Sequence, residues 1–394
     1  MGITAGVAAV FAPLPGIAES VQGQTESQTD RHHFRGFLPL TSFYSTPDPL
    51  PPGPPGKLIR VAEFDEYHLP EGVSAFRILY HSRTASGMDV ASSGVVLTPD
   101  QAAPAGGWPV IAWAHGFTGI ARHCAPSLMR NLNEGPFLSM YVKLGYAVVA
   151  TDYVGLGTSF RNASVDMQSD AADVIYSITA ARSAVPQLGG KWVAMGESAG
   201  GLAALAVAEL EGDIRDPDYL GSIAISGIAD AKEFYDLSAS GRSPAQLVVL
   251  AYEIQTLYPQ FQENQMLTEK ALALYPQVEK ACGMASTDSE TTAAQVLKAG
   301  WQGNGAVEHF FARNTIGQKP SYRPLLLVSS DTDPAVRMGM TARVVSRLCR
   351  QNDAVQFHDF QRSEFASVLG DSVRDQLTWI QARFAGRPAS SNCH

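Results

Sequence analysis

Ser198 stands in the pentapeptide Gly196-Glu197-Ser198-Ala199-Gly200, which has the spacing of a serine nucleophile held on a sharp turn. A serine hydroxyl at such a turn can attack a carbonyl carbon, and the flanking glycines permit the strained backbone that exposes it. The backbone N–H of Ala199 would stabilise the negative charge that develops on the carbonyl oxygen. The pattern predicts acyl-transfer chemistry at Ser198; the alternative interpretation is a glycine-rich packing turn.

His115 and Gly116 begin a second turn that could serve the same reaction. The pair follows the short apolar run 110–114. A loop in this position supplies the second oxyanion donor, which we predict to be the N–H of Phe117. We interpret His115 as a buried, hydrogen-bonded residue that shapes the loop, rather than as a group that transfers protons.

An acid that orients a catalytic imidazole is expected after a late strand of the chain. Asp331 and Asp333 follow the apolar run 325–328. Asp333 lies farther into the loop, where its carboxylate could reach an imidazole from the next loop, so we predict Asp333 as the acid and keep Asp331 as the alternative. Both could instead only cap the helix that is expected to begin near Arg337.

The elements that position these residues are short apolar runs, too brief for helices, which alternate with segments of helical spacing. The runs that predict strands are 77–80, 90–97, 110–114, 146–151, 192–195, 223–226, 325–328 and 355–360. Helices are predicted at 166–180, 199–209, 338–349 and 372–384. This alternation predicts an α/β fold with a mostly parallel central sheet and helices on both faces.

About a hundred residues separate the strands predicted at 223–226 and 325–328, which is far too long for a loop. Segments 245–258 and 269–275 within this gap have the pattern of amphipathic helices, so we predict an inserted helical cap. The expected organisation is a truncated signal peptide or flexible N-terminus at 1–35, a proline-rich arm at 36–57, a core at 58–227 and 319–394, and the cap at 228–318.

Composition limits the class of protein and its partners. The chain has 394 residues, of which 45% are hydrophobic and 17% charged, as in ordinary globular proteins. The formal net charge of −9 argues against nucleic acid as a partner, because phosphate binding needs clustered lysine and arginine. Apolar runs fall short of the roughly 18 residues that a transmembrane helix needs, so we expect no membrane span.

The four cysteines are Cys124, Cys282, Cys349 and Cys393, and none forms a CxxC pair. This spacing gives little support to a zinc or redox motif, so we expect neither metal nor organic cofactor. Two disulfides in a secreted protein are the favoured interpretation, with three pairings open; the alternative is four buried free thiols in a cytosolic protein.

Together, these residues resemble the secretory lipase family of the α/β-hydrolase superfamily, over roughly 43–393. The stretches that carry the resemblance are 113–116, 124–127, 151–157, 196–201 and 379–386. The resemblance implies an α/β-hydrolase core, a helical cap, secretion and action on lipids or other carboxylic esters. It also implies disulfides that join Cys124 to Cys282 and Cys349 to Cys393, and it matches Ser198 to the family nucleophile and Asp333 to the family acid.

The position of the family histidine is occupied by Phe365 in this sequence. A phenylalanine cannot accept the proton of Ser198, and an unactivated serine hydroxyl is a poor nucleophile. His358 is nearest to this position, although it falls within the strand predicted at 355–360, and His309 at the end of the cap is the second candidate. We interpret both as structural residues, so the general base is left open.

The sequence thus predicts a secreted carboxylic-ester hydrolase, with Ser198 and Asp333 in catalysis and the N–H groups of Phe117 and Ala199 in the oxyanion hole. Its partner would be a lipid or ester substrate, with transient contact of the cap to a lipid interface. The alternative is a catalytically impaired homologue that binds lipid or ester-like ligands without turning them over.

Overall fold

A computed structural model describes residues 36–393 except 229, 240–243, 284–290, 331–337 and 361–364. In this part of the chain nine strands form one sheet, in the order β1-β2-β3-β5-β4-β6-β7-β8-β9. The strands are β1 Leu58–Glu63, β2 Val73–Arg83, β3 Asp89–Pro99, β4 Trp108–Ala114, β5 Ala147–Thr151, β6 Leu188–Glu197, β7 Tyr219–Ile225, β8 Leu325–Ser330 and β9 Val355–Phe360. The pairings among β1, β2, β3 and β5 are antiparallel, and the other five are parallel. The predicted mostly parallel α/β fold is confirmed.

Helices cover both faces of the sheet. One face packs against α1 Gly135–Lys143 and α12 Val373–Phe384, and the other against α2 Met167–Ala184 and α3 Ala199–Ile214. Within β4, alternate side chains enter the two cores: Val110 and Ala112 lie on the side of α2 and α3, and Ile111 and Trp113 on the other side. Burial on both faces explains why the strand has a continuous apolar sequence rather than an alternating one. Among the described helices, none has the length and apolar character that a membrane span requires.

The segment between β7 and β8 is helical, as the sequence indicated. Its described helices are α4 Ala231–Leu237, α5 Pro244–Leu257, α6 Glu269–Leu272, α7 Tyr275–Val278, α8 Ala293–Val296 and α9 Gly305–Arg313. The single helix predicted at 269–275 is wrong, because the structure has two short helices there. Pro276 lies in the first turn of α7 and has no N–H to donate to the carbonyl of Leu272, so α6 cannot continue through it. The predicted domain boundaries themselves stay a prediction.

Two early parts of the chain extend the predicted sheet. Strand β1 was not predicted, and β2 and β3 are longer than the runs at 77–80 and 90–97. The proline-rich arm lies against this region: the backbone N–H of Gly53 donates to the carboxylate of Asp89 at 2.8 Å. Tyr44, buried within the same arm, shares a 2.8 Å hydrogen bond with the hydroxyl of Ser127. Helix α10 Met338–Arg350 lies between β8 and β9, and helix α11 Phe365–Asp371 follows β9.

Both disulfides implied by the resemblance are present. Cys124, in the loop after β4, is bonded to Cys282, in the helical segment between β7 and β8. Cys349 of α10 is bonded to Cys393 near the C-terminus. The first bond therefore joins the core to the helical insertion across 158 residues of sequence, and the second joins α10 to the C-terminal segment across 44 residues.

Removing each disulfide by paired Cys→Ser substitution should lower the free energy of unfolding, and the Cys124–Cys282 pair should have the larger effect. A longer cross-linked loop restricts the unfolded chain more, so we expect losses of about 2–5 kcal/mol and a difference of roughly 1 kcal/mol between the two pairs. Urea unfolding monitored by circular dichroism measures both. Equal losses, or a larger loss for the Cys349 and Cys393 pair, would contradict the expected order.

Buried carboxyl groups lie within the helical insertion and in helix α2 of the core. Glu253 of α5 is inaccessible to solvent and accepts a 2.6 Å hydrogen bond from the hydroxyl of Tyr235. Desolvation by burial raises the pKa of Glu253 to about 8 and that of Asp173 in α2 to about 7. Nearby, Asp166 is held by the guanidinium of Arg313 at 2.6 Å, which joins α9 to the start of α2. The raised pKa values therefore favour the neutral, protonated form of the Glu253 and Asp173 carboxyl groups near neutral pH.

Replacing Glu253 by glutamine should reduce the loss of stability that accompanies a rise in pH from about 5 to about 8. The folded-state pKa of Glu253 lies above its ordinary value of 4.5, so the unfolded chain releases this proton first. Its contribution is therefore complete below about pH 4.5 and is lost as the pH rises to about 8. We expect the free energy of unfolding to fall less for Glu253→Gln than for the parent between about pH 5 and about pH 8. The exposed Glu308→Gln serves as the control, and identical profiles for the parent and Glu253→Gln would refute the assignment.

Candidate active site

Ser198 occupies a sharp corner between β6 and α3. Its backbone has φ 56° and ψ −119°, a conformation that costs a residue with a side chain about 1–3 kcal/mol. Two backbone bonds hold it there: Ser198 N–H donates to the carbonyl of Ile225 at 3.0 Å, and Gly201 N–H donates to the carbonyl of Ser198 at 3.0 Å. The parallel neighbour β7 and the first turn of α3 thus fix the corner.

The two glycines of the pentapeptide are required by close backbone contacts. A Cβ added to Gly196 would lie 2.1 Å from the carbonyl oxygen of Gly200, and a Cβ added to Gly200 would lie 2.0 Å from the carbonyl oxygen of Ala114. Backbone atoms cannot yield as a flexible side chain can. The start of α3 therefore packs directly against the end of β4, and only residues without Cβ allow this approach.

Gly200→Ala should lower the free energy of unfolding by at least about 2 kcal/mol, because its methyl group would overlap the backbone at Ala114. Gly305→Ala at the start of α9 is the matched control, since a Cβ there meets no atom within 4 Å. We expect it to be neutral or to stabilise by up to about 1 kcal/mol. Thermal and urea unfolding of the two variants measure the contrast, and equal stability would show that the close packing is wrong.

The loop after β4 lies directly over this corner. Ala114 pairs with Gly196 in the sheet, so the two strands end side by side. A Cβ added to Gly116 would be 3.4 Å from Ser198 Cβ, so the Gly116 backbone lies close to the serine. The N–H of Phe117 follows this contact, and the N–H of Ala199 belongs to the helical turn whose donors have no intrahelical acceptor. The structure thus brings together the segments that carry Ser198, Phe117 and Ala199.

The helical insertion holds the other side of the same loop. The N–H of Gly283 donates to the carbonyl of Thr118 at 2.7 Å, and Gly119 pairs with Cys282 as an isolated antiparallel bridge. The Cys124–Cys282 disulfide follows within a few residues. Three connections therefore fix the loop that carries Phe117 between the core and the insertion.

His115 is a structural residue of this loop, as predicted. The side chain is buried, and its Nδ1 and Nε2 atoms lie 2.6 Å and 3.2 Å from the carbonyl oxygens of Gly116 and Asp152. Burial lowers the pKa of His115, so the ring is neutral at pH 7 and donates to one of these carbonyls at a time. Both nitrogens face backbone carbonyls, which removes the ring from proton transfer at Ser198.

The sequence interpretation gave no role to Asp152 and Tyr153, which the structure places behind the loop. The buried Asp152 carboxylate accepts hydrogen bonds from the hydroxyls of Ser93 and Ser127 and from the N–H of Ser127 at 2.8 Å. Tyr153, with φ 65°, donates its hydroxyl to the carbonyl of His115 at 3.1 Å. The run 151–157 was a visible signal, because polar residues follow a buried strand there. Both residues position the loop that carries Phe117.

Of the two histidines considered as bases, His358 is hydrogen-bonded to other residues and His309 is exposed. Nδ1 of His358 lies 2.6 Å from the carboxylate of Asp375 in α12, and its Nε2 lies 2.8 Å from the amide of Gln356. His309 is exposed on α9, with its ring centroid 6.3 Å from that of Tyr258. In 36–393, apart from the ranges left undescribed, no hydrogen bond joins Ser198 Oγ to an imidazole.

The remaining site predictions fall at the carboxyl ends of β8 and β9. Val328 of β8 pairs with Ile225 of β7, which pairs with Glu197, so these strands end at the edge of the sheet that carries Ser198. Asp331 and Asp333 come next in the chain and lie outside the described residues. Position 365, five residues beyond β9, is the first residue of α11. The proposed acid and the family base position therefore follow strands that end at this edge.

A group with metal-ligand atoms occurs near the same loop, among the described residues. One ligand atom each of His123, Cys124 and Cys282 lies within 4.8 Å of the others. The two cysteines form a disulfide and so lack the thiolates that bind metals. This group is therefore unsuited to a metal.

Comparison with known proteins supports the fold and the family. The sequence model of the family described as Secretory lipase matches residues 133–392. A Mycobacterium tuberculosis (strain CDC 1551 / Oshkosh) protein named Probable inactive lipase MT1628 is 23% identical over 387 residues, which cover 91% of this chain and 85% of that protein.

Two solved structures have the same fold at low identity. Candida antarctica lipase A aligns with a TM-score of 0.78 and 16% identity, covering 91% of this chain and 89% of that one. The rice cell wall degrading esterase LipA from Xanthomonas oryzae aligns with a TM-score of 0.69 and 18% identity, covering 84% and 98%. The α/β-hydrolase fold implied by the sequence resemblance is thus confirmed.

Proposed function

This chain belongs to the secretory lipase family, and we propose that it is a carboxylic-ester hydrolase with Ser198 as its nucleophile. The observation that carries the proposal is the strained corner at Ser198, with the loop of Gly116 so near that an added Cβ would lie 3.4 Å from Ser198 Cβ. Strain of this kind persists where the surrounding structure enforces it, and it is concentrated at functional sites. The turn and the adjacent loop together support the assignment of Ser198 as the nucleophile and of nearby backbone N–H groups as oxyanion donors.

In the proposed reaction, the hydroxyl of Ser198 attacks the ester carbonyl carbon and the alcohol leaves. The N–H groups of Phe117 and Ala199 stabilise the oxyanion, and water then releases the acid from Ser198. Donors fixed before the reaction are effective because they need no reorganisation as charge develops. The loop that holds Phe117 is fixed by the bonds of Thr118, Asp152 and Tyr153, which suits it to this role.

The activation of Ser198 is the weak step of this mechanism. Asp333 would orient an imidazole, yet the family position for that imidazole is Phe365. Loss of a base costs about 10²- to 10⁴-fold from general base catalysis alone. We therefore propose slow turnover, sustained by the oxyanion donors and by substrate binding.

A second function is favoured by the same observation. A chain that keeps the corner, the loop and the cap but lacks the base would bind lipid or ester-like ligands without hydrolysing them. The M. tuberculosis relative at 23% identity is named a probable inactive lipase. The two proposals differ in whether Ser198 forms an acyl-enzyme.

Restoring the base should increase ester hydrolysis. We expect Phe365→His to raise kcat/KM for a p-nitrophenyl ester by about 100-fold or more, because an imidazole at this position could accept the Ser198 proton. Phe365→Ala is the matched control, since it opens the same space without adding a base. Equal rates for Phe365→His and Phe365→Ala would show that the base position is wrong.

Further variants separate slow hydrolysis from binding alone. A fluorophosphonate should label the parent and the Phe365→His variant but not Ser198→Ala, and His309→Ala and His358→Ala should leave hydrolysis unchanged. If the parent and Ser198→Ala give equal background rates and equal labelling, binding without turnover is the function of the parent. A loss of activity in either histidine variant would identify that residue as a relocated base.

The proposed substrates are lipids or other carboxylic esters, and the proposed location is extracellular. The two disulfides are consistent with an oxidising compartment, in which such bonds persist. The helical insertion between β7 and β8 is the proposed cap, with transient contact to a lipid interface. The proposed substrate class, location and cap contact rest on membership of the secretory lipase family, because the fold alone does not determine them.

A further inference from the structure

A cavity of about 550 Å³ lies at the end of α3 that is remote from Ser198. It is bounded by α2, by the C-terminal half of α3, by the turn between β2 and β3, and by the chain after α9. Its first lining residue on α3 is Ala206, about 12 Å along the helix from Ser198 at 1.5 Å per residue. The volume falls within the roughly 300–1,000 Å³ range of small-molecule sites.

The floor of this cavity is apolar. Ala172 and Tyr176 of α2 and Ala206 and Leu210 of α3 face each other across the groove between the two helices. The two alanines are buried, and their small side chains create the depression; Tyr176 and Leu210 are half-exposed at its sides. Such a floor would contact an alkyl chain and remove its apolar surface from water.

The rim carries charged groups, and most of them are already engaged. Arg83 binds Asp89, Arg313 binds Asp166, and the carboxylate of Glu209 accepts the N–H of Gly317 at 2.6 Å. Each of these partners belongs to the packing of the core or of the helical insertion, and a ligand could not replace it without breaking that packing.

Lys319 is the exception. Its Nζ atom lies 2.7 Å from the carboxylate of Asp213, and the side chains are 58% and 62% exposed. An ion pair this exposed contributes only about 0–1 kcal/mol, and Asp213 would stay hydrated if Lys319 changed partner. Lys319 can therefore exchange Asp213 for the carboxylate of a ligand at little cost.

We propose that this cavity binds a free fatty acid, with the alkyl chain over Ala172, Ala206 and Leu210 and the carboxylate at Lys319. An apolar floor beside one exchangeable cation complements an alkyl chain that ends in a single negative charge. The proposal does not depend on hydrolysis at Ser198, because the cavity and its lining lie at the other end of α3. A fatty acid released by this protein would belong to the same class of ligand.

The test is the binding of dodecanoate to the full chain carrying Ser198→Ala, measured by isothermal titration calorimetry. Leu210→Glu should weaken binding by at least about tenfold, because it places a carboxylate on the floor; Lys319→Gln should weaken it by about three- to tenfold. The matched controls lie at α1 on the opposite face of the sheet: Leu144→Glu, whose leucine is 51% exposed, and Lys143→Gln. Dodecanol, which lacks the charge, should be insensitive to Lys319→Gln.

A photoreactive fatty acid gives a second measurement that needs no variant to fold. Cross-linked peptides should come from α2 and the C-terminal half of α3. Absence of dodecanoate binding, equal affinity in the parent and both cavity variants, or cross-links confined to the peptides around Ser198 would overturn the proposal. The esterase assays at Ser198 are independent of these outcomes, so either proposal can fail alone.

Discussion

The close approach of the α3 N-terminus to the end of β4 is the contact on which the site depends. Gly200 lies so near the carbonyl of Ala114 that a Cβ would stand 2.0 Å from it. This contact exists because β4 and β6 are parallel neighbours that end in register, with Ala114 beside Gly196. It holds Ser198 in a positive-φ conformation and places the Gly116 loop next to it. The proposed nucleophile and the two proposed oxyanion donors thus lie beside one close backbone contact.

The same arrangement explains why the chain keeps a strained serine without a visible base. The strain is imposed by strand pairing and glycine packing, which involve no histidine. The contacts that hold the corner are made by backbone atoms and glycines, so they do not require a histidine at position 365. In the proposed mechanism, binding and oxyanion stabilisation are therefore separable from proton transfer, since the residues assigned to them follow different strands. That separation is what makes both slow hydrolysis and ligand binding compatible with the structure.

The helical insertion is connected to the core by contacts of different physical kinds. The Cys124–Cys282 disulfide and the bond from Gly283 to Thr118 lie beside the loop that carries Phe117. The ion pair of Arg313 with Asp166 lies at the start of α2. The disulfide and the backbone hydrogen bond involve no group that titrates near neutral pH. Glu253 and Asp173, in contrast, are buried acids whose raised pKa values favour the neutral form. The loop that carries Phe117 is thus held by the connections that are least sensitive to pH.

The sequence by itself determined the α/β class, the corner at Ser198 and the loop at His115, because these depend on local patterns: apolar runs, glycine spacing and the helix that follows. It missed β1 and the break between α6 and α7, where edge pairing and one proline decide the outcome. Only the tertiary structure identified the partners of His115 and His358, since Asp152 and Asp375 lie 37 and 17 residues away in the chain. The cavity between α2 and α3 could not be predicted from the sequence, because it forms where these two helices pack and small alanine side chains line the groove between them.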